Sequence, residues 1–278
     1  MKQTVVGVTL IAGLAQLAAA PAQATPQVDP VKALQAAWTR GKGMNVVSTT
    51  KVDYGRGLFY TFYMDGTVGL GAQGEITSDE SQSLQLSKRL MSGLKKLGMG
   101  EDAAEDELPL RVISSGHDDY VSGPSLADAL PQGTSWVRYP YADRPTGNLL
   151  LDVLEPTTLK ALLAHRTSWR GGVLKGTIKT DKLAKVSRSF ASRFGAYSGS
   201  EPVSTVAYTL RLGSTGLVER LSAKGVLRSY KGSLRIDSDT RYSAWGQQVT
   251  VLLPLRGDVI DQEQLKGKVP NQVPSAWN

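Results

Sequence analysis

The chain predicts an α+β fold: a large curved antiparallel sheet with helices covering its concave face. About nine or more short strand-like runs follow one another, broken by glycine turns, as in sequentially paired antiparallel strands. Amphipathic helical stretches are set between them. A sheet that wide twists and curls, and its dry side needs a cover. No linker, composition shift or repeat divides the chain, so residues 25–278 read as one domain after a 1–24 leader.

The elements come in this order. Asp29-Pro30 is an N-cap followed by proline at the first helical position, and it opens a helix from Val31 to about Arg40. Val31, Leu34, Ala37 and Trp38 share a face, and Gly41-Lys42-Gly43 ends it. Met44–Tyr54 and Leu58–Met64 read as strands joined at Gly55-Arg56-Gly57, with a second hairpin signal at Asp65-Gly66. Leu58, Tyr60, Phe62 and Met64 fall on one face of their strand. Ser83–Gly98 reads as a strand running into a helix, and Glu101–Glu107 as an exposed acidic loop. Pro109–Ser115, Tyr120–Ser122 and Ser135–Tyr139 are further strands.

Glu155-Pro156-Thr157-Thr158 starts a helix that runs to His165. A second helix is predicted over Asp181–Phe194, with Leu183, Val186, Phe190 and Phe194 in one apolar stripe and Lys182, Lys185 and Arg188 away from it. Val203–Leu212, Leu217–Val226, Ser233–Tyr242 and Gln248–Leu253 form a meander. In the third of these, Leu234, Ile236 and Tyr242 face the dry side, and Arg235, Asp237, Asp239 and Arg241 the wet side. Gly257–Leu265 is expected to close the fold as a helix, before an irregular Pro270–Pro274 tail.

The first residues read as an export signal. Met1–Lys2 supplies the positive start, Val5–Ala20 the apolar run and Ala22-Gln23-Ala24 the small-x-small site, with cleavage expected after Ala24. The chain has no cysteine, which excludes thiol nucleophiles, thiolate metal sites and a lipid anchor at the cleavage point. A secreted, unanchored protein of the cell envelope is the expectation. Hydrophobic and charged fractions of 41% and 21% are those of a globular chain. The formal charge of +7 favours solubility first, and then peripheral contact with an anionic membrane or wall polymer.

Little in the chain points to catalysis. Gly69-Leu70-Gly71-Ala72-Gln73-Gly74 has dinucleotide-fingerprint spacing, but Glu75-Ile76-Thr77 resumes strand-like sequence where that motif needs a helix. His117-Asp118-Asp119 is the one His–carboxylate cluster, and adjacent turn residues rarely aim at a common group. His165 sits at a helix end, where a cation suits the dipole. Two histidines and no cysteine point away from a zinc site. Asp237 and Asp239 read as solvated partners of Arg235 and Arg241. No nucleophile elbow, phosphate loop or basic–aromatic nucleic-acid module is present. No enzyme, cofactor, metal or nucleic-acid partner is therefore expected.

Several stretches together resemble a known family. They are Asp29-Pro30, the run Glu155-Pro156-Thr157-Thr158-Leu159-Lys160-Ala161-Leu162-Leu163, and Asp239-Thr240-Arg241-Tyr242-Ser243-Ala244-Trp245-Gly246 followed by Val249-Thr250-Val251. The chain is similar to actinobacterial exported members of the LolA/LolB-like superfamily, which includes LppX/LprG-type lipoprotein carriers and RseB-type sensors. That resemblance implies an unclosed half-barrel plugged by helices, with a cavity for acyl chains between them. The carriers are usually anchored through a cysteine, which this chain lacks. The expected ligand-cavity residues are Leu183, Val186, Phe190 and Phe194 from the helix, faced by Leu58, Tyr60, Phe62, Leu234 and Ile236 from the sheet. The ligand would be a lipid or lipid-linked molecule. The alternative is an interaction or sensing module with a filled interior.

Overall fold

The computed structural model describes residues 28–72, 76–140, 147–198, 203–229 and 232–273. The expected export signal, its cleavage site, Gln73-Gly74-Glu75 and Pro274 lie outside the described residues.

Helix α1 (Pro30–Ala37) begins as predicted. The Asp29 carboxylate accepts the N–H groups of Val31 at 2.9 Å and Lys32 at 3.3 Å, donors that no helical carbonyl can reach. Strands β1 (Lys42–Asp53) and β2 (Phe59–Leu70) meet at Gly55-Arg56-Gly57, all three at positive φ. Asp65-Gly66 does not turn. β2 continues through it to Leu70, with Gly66 opposite Val46 on one side and Glu80 of β3 (Ile76–Leu86) on the other. Gly66 serves close approach instead: a Cβ there would lie 2.3 Å from the Asp79 carbonyl oxygen.

The strand-into-helix reading of Ser83–Gly98 holds. β3 leads to α2 (Lys88–Lys96) through Ser87, whose hydroxyl accepts the Leu90 N–H at 3.2 Å. The acidic stretch expected as a loop is instead α3 (Gly100–Glu105), with Glu101 and Asp102 in the first turn, where the helix dipole favours them. Strands β4 (Leu110–Ser115) and β5 (Asp118–Ser122), the short helix α4 (Pro124–Ala127) and strand β6 (Trp136–Pro140) follow.

Helix α5 (Pro156–Ala164) is as predicted. The hairpin after it, β7 (Arg166–Arg170) and β8 (Val173–Lys179) around Gly171-Gly172, was not legible in the pattern. The single helix expected over Asp181–Phe194 is two, α6 (Thr180–Val186) and α7 (Arg188–Ser198), because Ser187 is extended at φ −113° and ψ 110°. Its hydroxyl caps α7 by accepting the Phe190 N–H at 3.2 Å.

Strands β9 (Thr205–Leu212), β10 (Val218–Ser229) and β11 (Gly232–Gln248) form the expected meander. Its fourth run, Gln248–Leu253, is not a separate strand. Gln248 ends β11 opposite Lys42, where β1 begins, and one further backbone bond, from the Val249 N–H to the Gly41 carbonyl at 3.0 Å, closes the pairing. The Val249 side chain instead approaches Gly43 and Gly69, 2.8 and 3.5 Å from where Cβ atoms would sit. Nor is Gly257–Leu265 one helix: two short 3₁₀ turns flank β12 (Val259–Asp261). β12 pairs in parallel with β6, whose edge is otherwise open, and Arg138 holds Asp261 at 2.5 and 3.0 Å.

The described strands make one open sheet of order β12-β6-β5-β4-β3-β2-β1-β11-β10-β9-β8-β7. It consists of two meanders, β1–β6 and β7–β11, joined where β1 pairs with β11. One face carries the main core, in which Val46, Tyr60 and Ile236 of the sheet cluster with Leu34, Leu162, Leu183 and Phe190 of the helices. A second cluster joins Val112, Val121 and Val137 to Leu126, Leu265 and Val269.

Gly66→Ala is expected to lower stability by about 1–3 kcal/mol through this close approach. Gly93→Ala, in α2 with nothing within 4 Å of a Cβ, should raise it by roughly 0.5–1 kcal/mol. Paired urea titrations measure both.

Candidate functional site

The inner face of the sheet and its helices enclose the candidate site. Strand alternation turns Tyr60 and Phe62 of β2 and Leu234 and Ile236 of β11 toward the helices, and all four are buried. Leu183 of α6 and Phe190 and Phe194 of α7 are buried against them, with the two phenylalanine rings 5.2 Å apart. Val186 is half-buried and packs on the same cluster. Leu58 is the exception: it sits half-buried in the turn before β2, outside the cluster.

The middle of this dry face is polar, and no hydropathy pattern marked it. Ser48 and Thr50 of β1 lie directly opposite Thr240 and Ser238 of β11, with hydroxyl oxygens 2.8 and 2.6 Å apart. Asn148 adds a third group, its amide donating to the Thr240 hydroxyl at 3.0 Å. These buried groups satisfy one another.

Asn148 opens an unpredicted feature. Residues 147–154 are buried on the inner face yet form neither helix nor strand. Side chains supply the bonds that regular structure would have made: the Asn148 carbonyl oxygen accepts the N–H groups of Leu150 at 3.0 Å and Leu151 at 2.9 Å, and the Asp152 carboxylate that of Leu154 at 2.9 Å. Arg193 donates to the Leu149 carbonyl and, at 2.9 Å, to that of Ser189.

Glu155 ties this segment to three helices. Its carboxylate accepts from the Thr158 hydroxyl at 2.6 Å, the Ser187 hydroxyl at 2.7 Å and the Ser189 N–H at 2.9 Å. The break between α6 and α7 is thus a docking point. Burial pushes the Asp152 carboxyl up to about 7, and the Glu155 charge adds to that, while the Leu154 N–H and Arg193 oppose it. Burial also raises the Tyr242 hydroxyl well above its ordinary value, helped by the Asp152 charge. The continuous run Leu149-Leu150-Leu151-Asp152-Val153-Leu154 was the one sequence signal for this region: an acid inside an apolar stretch.

The other groups singled out in the sequence lie elsewhere. His117 is exposed in the β4–β5 turn, Asp118 faces Arg138 at 3.5 Å, and Asp119 is buried, accepting from the Ser114 hydroxyl. His165 ends α5. Asp237 and Asp239 pair across strands, with Lys224 at 2.7 Å and Arg220 at 3.0 Å, rather than with Arg235 and Arg241. Among the described residues no group of three or more His, Asp or Glu is placed to hold a metal. A cavity of about 350 Å³ opens over β9–β11, and Ile236 alone of the nine predicted site residues lines it.

No protein-family model matches the chain, and no curated protein is significantly similar to it. Among solved structures it is similar to a LolA superfamily protein from Nitrosomonas europaea, at 8% identity and a TM-score of 0.28, covering 81% of this chain and 93% of that one. A hypothetical protein from Chlamydia trachomatis aligns at 9% identity and a TM-score of 0.24, covering 80% and 96%. These scores are low, and the functional reading below rests on the chain's own residues.

Asp152 yields a pH signature with a definite sign. Its carboxyl is raised from 3.8 to about 7 on folding, so stability falls as pH rises through that window. Asp152→Asn keeps the acceptor for Leu154 but cannot ionise. At about pH 8 it should be more stable than wild type by on the order of 2–4 kcal/mol, a gain that vanishes near pH 4. Denaturant titrations across this range check both sign and window.

Proposed function

We propose that this protein is a non-enzymatic, extracytoplasmic carrier or receptor for a hydrophobic ligand, a lipid or lipid-linked molecule, bound between the sheet and its helices. Curling of the sheet into a LolA-like half-barrel, export with cleavage after Ala24, and the lack of a lipid anchor belong to the same reading. The observation that carries it is the irregular segment 147–154. Five apolar side chains, Leu149, Leu150, Leu151, Val153 and Leu154, fill the space between sheet and helices without belonging to a helix or strand. Displacing such a segment breaks side-chain turns but no helix or ladder, so it opens at lower cost than its neighbours. An acyl chain entering there exchanges methylenes for leucine side chains, at about 0.8 kcal/mol per CH₂ kept from water. Leu183, Phe190, Phe194, Tyr60, Phe62, Leu234 and Ile236 would line its path.

A second reading has an observation of its own. Leu150, Leu151, Leu162 and Phe190 are fully buried, as in an interior occupied for good by its own side chains. This favours an envelope interaction or sensing module without a ligand.

Native mass spectrometry after exposure to total membrane lipid separates the two. The carrier shows a lipid-sized adduct that increases in Asn148→Ala, which loosens the segment, and is lost in Phe190→Asp with circular dichroism unchanged. A clean apo mass for both wild type and Asn148→Ala supports the filled module.

A further inference from the structure

The wet face of the second meander carries a feature that the interior does not explain. Arg170 of β7 lies opposite Val173 of β8, which lies opposite Arg211 of β9, then Arg220 of β10, then Arg241 of β11. At the usual strand spacing the four arginines form one row roughly 19 Å long. All four are exposed. Like charges directly opposite each other destabilise a sheet, so the row raises the energy of the isolated protein. One acid relieves it in part: Asp239 pairs with Arg220, inside the row, while Asp237 is taken by Lys224, and among the described residues Arg170, Arg211 and Arg241 have no ion pair. Lys175 and Lys179 of β8 point to the same exposed side.

The cavity of about 350 Å³ opens farther along β10 and β11 from this row. Lys224, Arg228 and Arg235 rim it, Asp237 at the rim is paired with Lys224, and Val203 and Val226 give it apolar surface. A guanidinium row suits phosphodiester oxygens, which it can hold in pairs. An apolar recess with a cationic rim suits a molecule carrying both a phosphate and hydrocarbon, which a hydrophilic polymer lacks.

We propose that the wet face of β7–β11 docks the protein on an anionic phospholipid bilayer, with the row Arg170, Arg211, Arg220 and Arg241 on lipid phosphates and the recess taking part of one lipid. The face works without any anchor and independently of whether the interior holds a ligand.

The test is vesicle co-sedimentation of the purified protein with phosphatidylcholine, with and without one-third phosphatidylglycerol, at low and high salt. Wild type should bind only the anionic vesicles and be released by salt. Arg170→Gln/Arg211→Gln/Arg241→Gln should weaken binding roughly 100-fold. A variant of equal charge change on α2, Lys88→Gln/Arg89→Gln/Lys96→Gln, should lose far less. Equal loss in both variants overturns the proposal in favour of net charge alone, and so does wild-type binding by the arginine variant. Poly(glycerol phosphate) binding as tightly per phosphate as the vesicles would reassign the face to a wall polymer. Both variants keep the interior intact, so a lipid adduct seen by mass spectrometry is decided separately.

Discussion

The pairing of β1 with β11 is the constraint on which the rest of the architecture depends. Each meander pairs strands that follow one another in sequence, but only this seam makes them one sheet, bringing together residues from Asp53 and Arg235 to Lys42 and Gln248, which lie far apart in the chain. The seam has its own register device. Ser48 meets Thr240 and Thr50 meets Ser238 within an otherwise apolar face. A slip of one residue would turn these hydroxyls outward and the exposed partners inward, leaving buried polar groups unpaired. Asn148 reads the same position from above by bonding Thr240, so the seam also places the segment that covers it.

That segment explains the arrangement of the helices. The chain leaving the first meander crosses the inner face before the second begins, and irregular backbone buried there must be satisfied by side chains. Asn148, Asp152 and Arg193 meet that need, and Glu155 then gathers α5, α6 and α7 at one carboxylate. Charges this deep are costly, as the elevated Asp152 carboxyl records. The polar core stabilises a particular placement of the segment at the expense of overall stability.

The two sides of the sheet divide the chemistry. The dry side joins apolar strands to apolar helix stripes around a narrow polar spine. The wet side of the second meander gathers arginines from β7, β9, β10 and β11 on one surface, and among the described residues only Arg220 of the row has an ion pair. A hydrophobic interior and a cationic exterior on the same strands are compatible because side chains of odd and even positions never share a face.

What local chemistry dictates was readable in advance. Asp29-Pro30 starts a helix, Gly55-Arg56-Gly57 turns a hairpin, and alternation from Leu234 to Tyr242 separates dry from wet, because each depends on a few neighbouring residues. Eight of the nine residues expected to line a ligand cavity pack together in one core cluster, with only Leu58 left in its turn. Signals that depend on distant partners were not readable. Asp65-Gly66 stays straight because two strands flank it, Ser187 breaks a well-patterned helix because Glu155 waits 32 residues earlier, and Gln248 ends β11 because β1 has run out. The arginine row likewise exists only in register, since its members lie on four strands. Sequence by itself determined the class of fold and which side of each strand is dry, through short-range periodicity. Tertiary structure alone decided the seam, the buried segment and the basic face, because each is made by contacts between residues far apart in the chain, backbone pairing for the seam and the basic face and side-chain bonds for the segment.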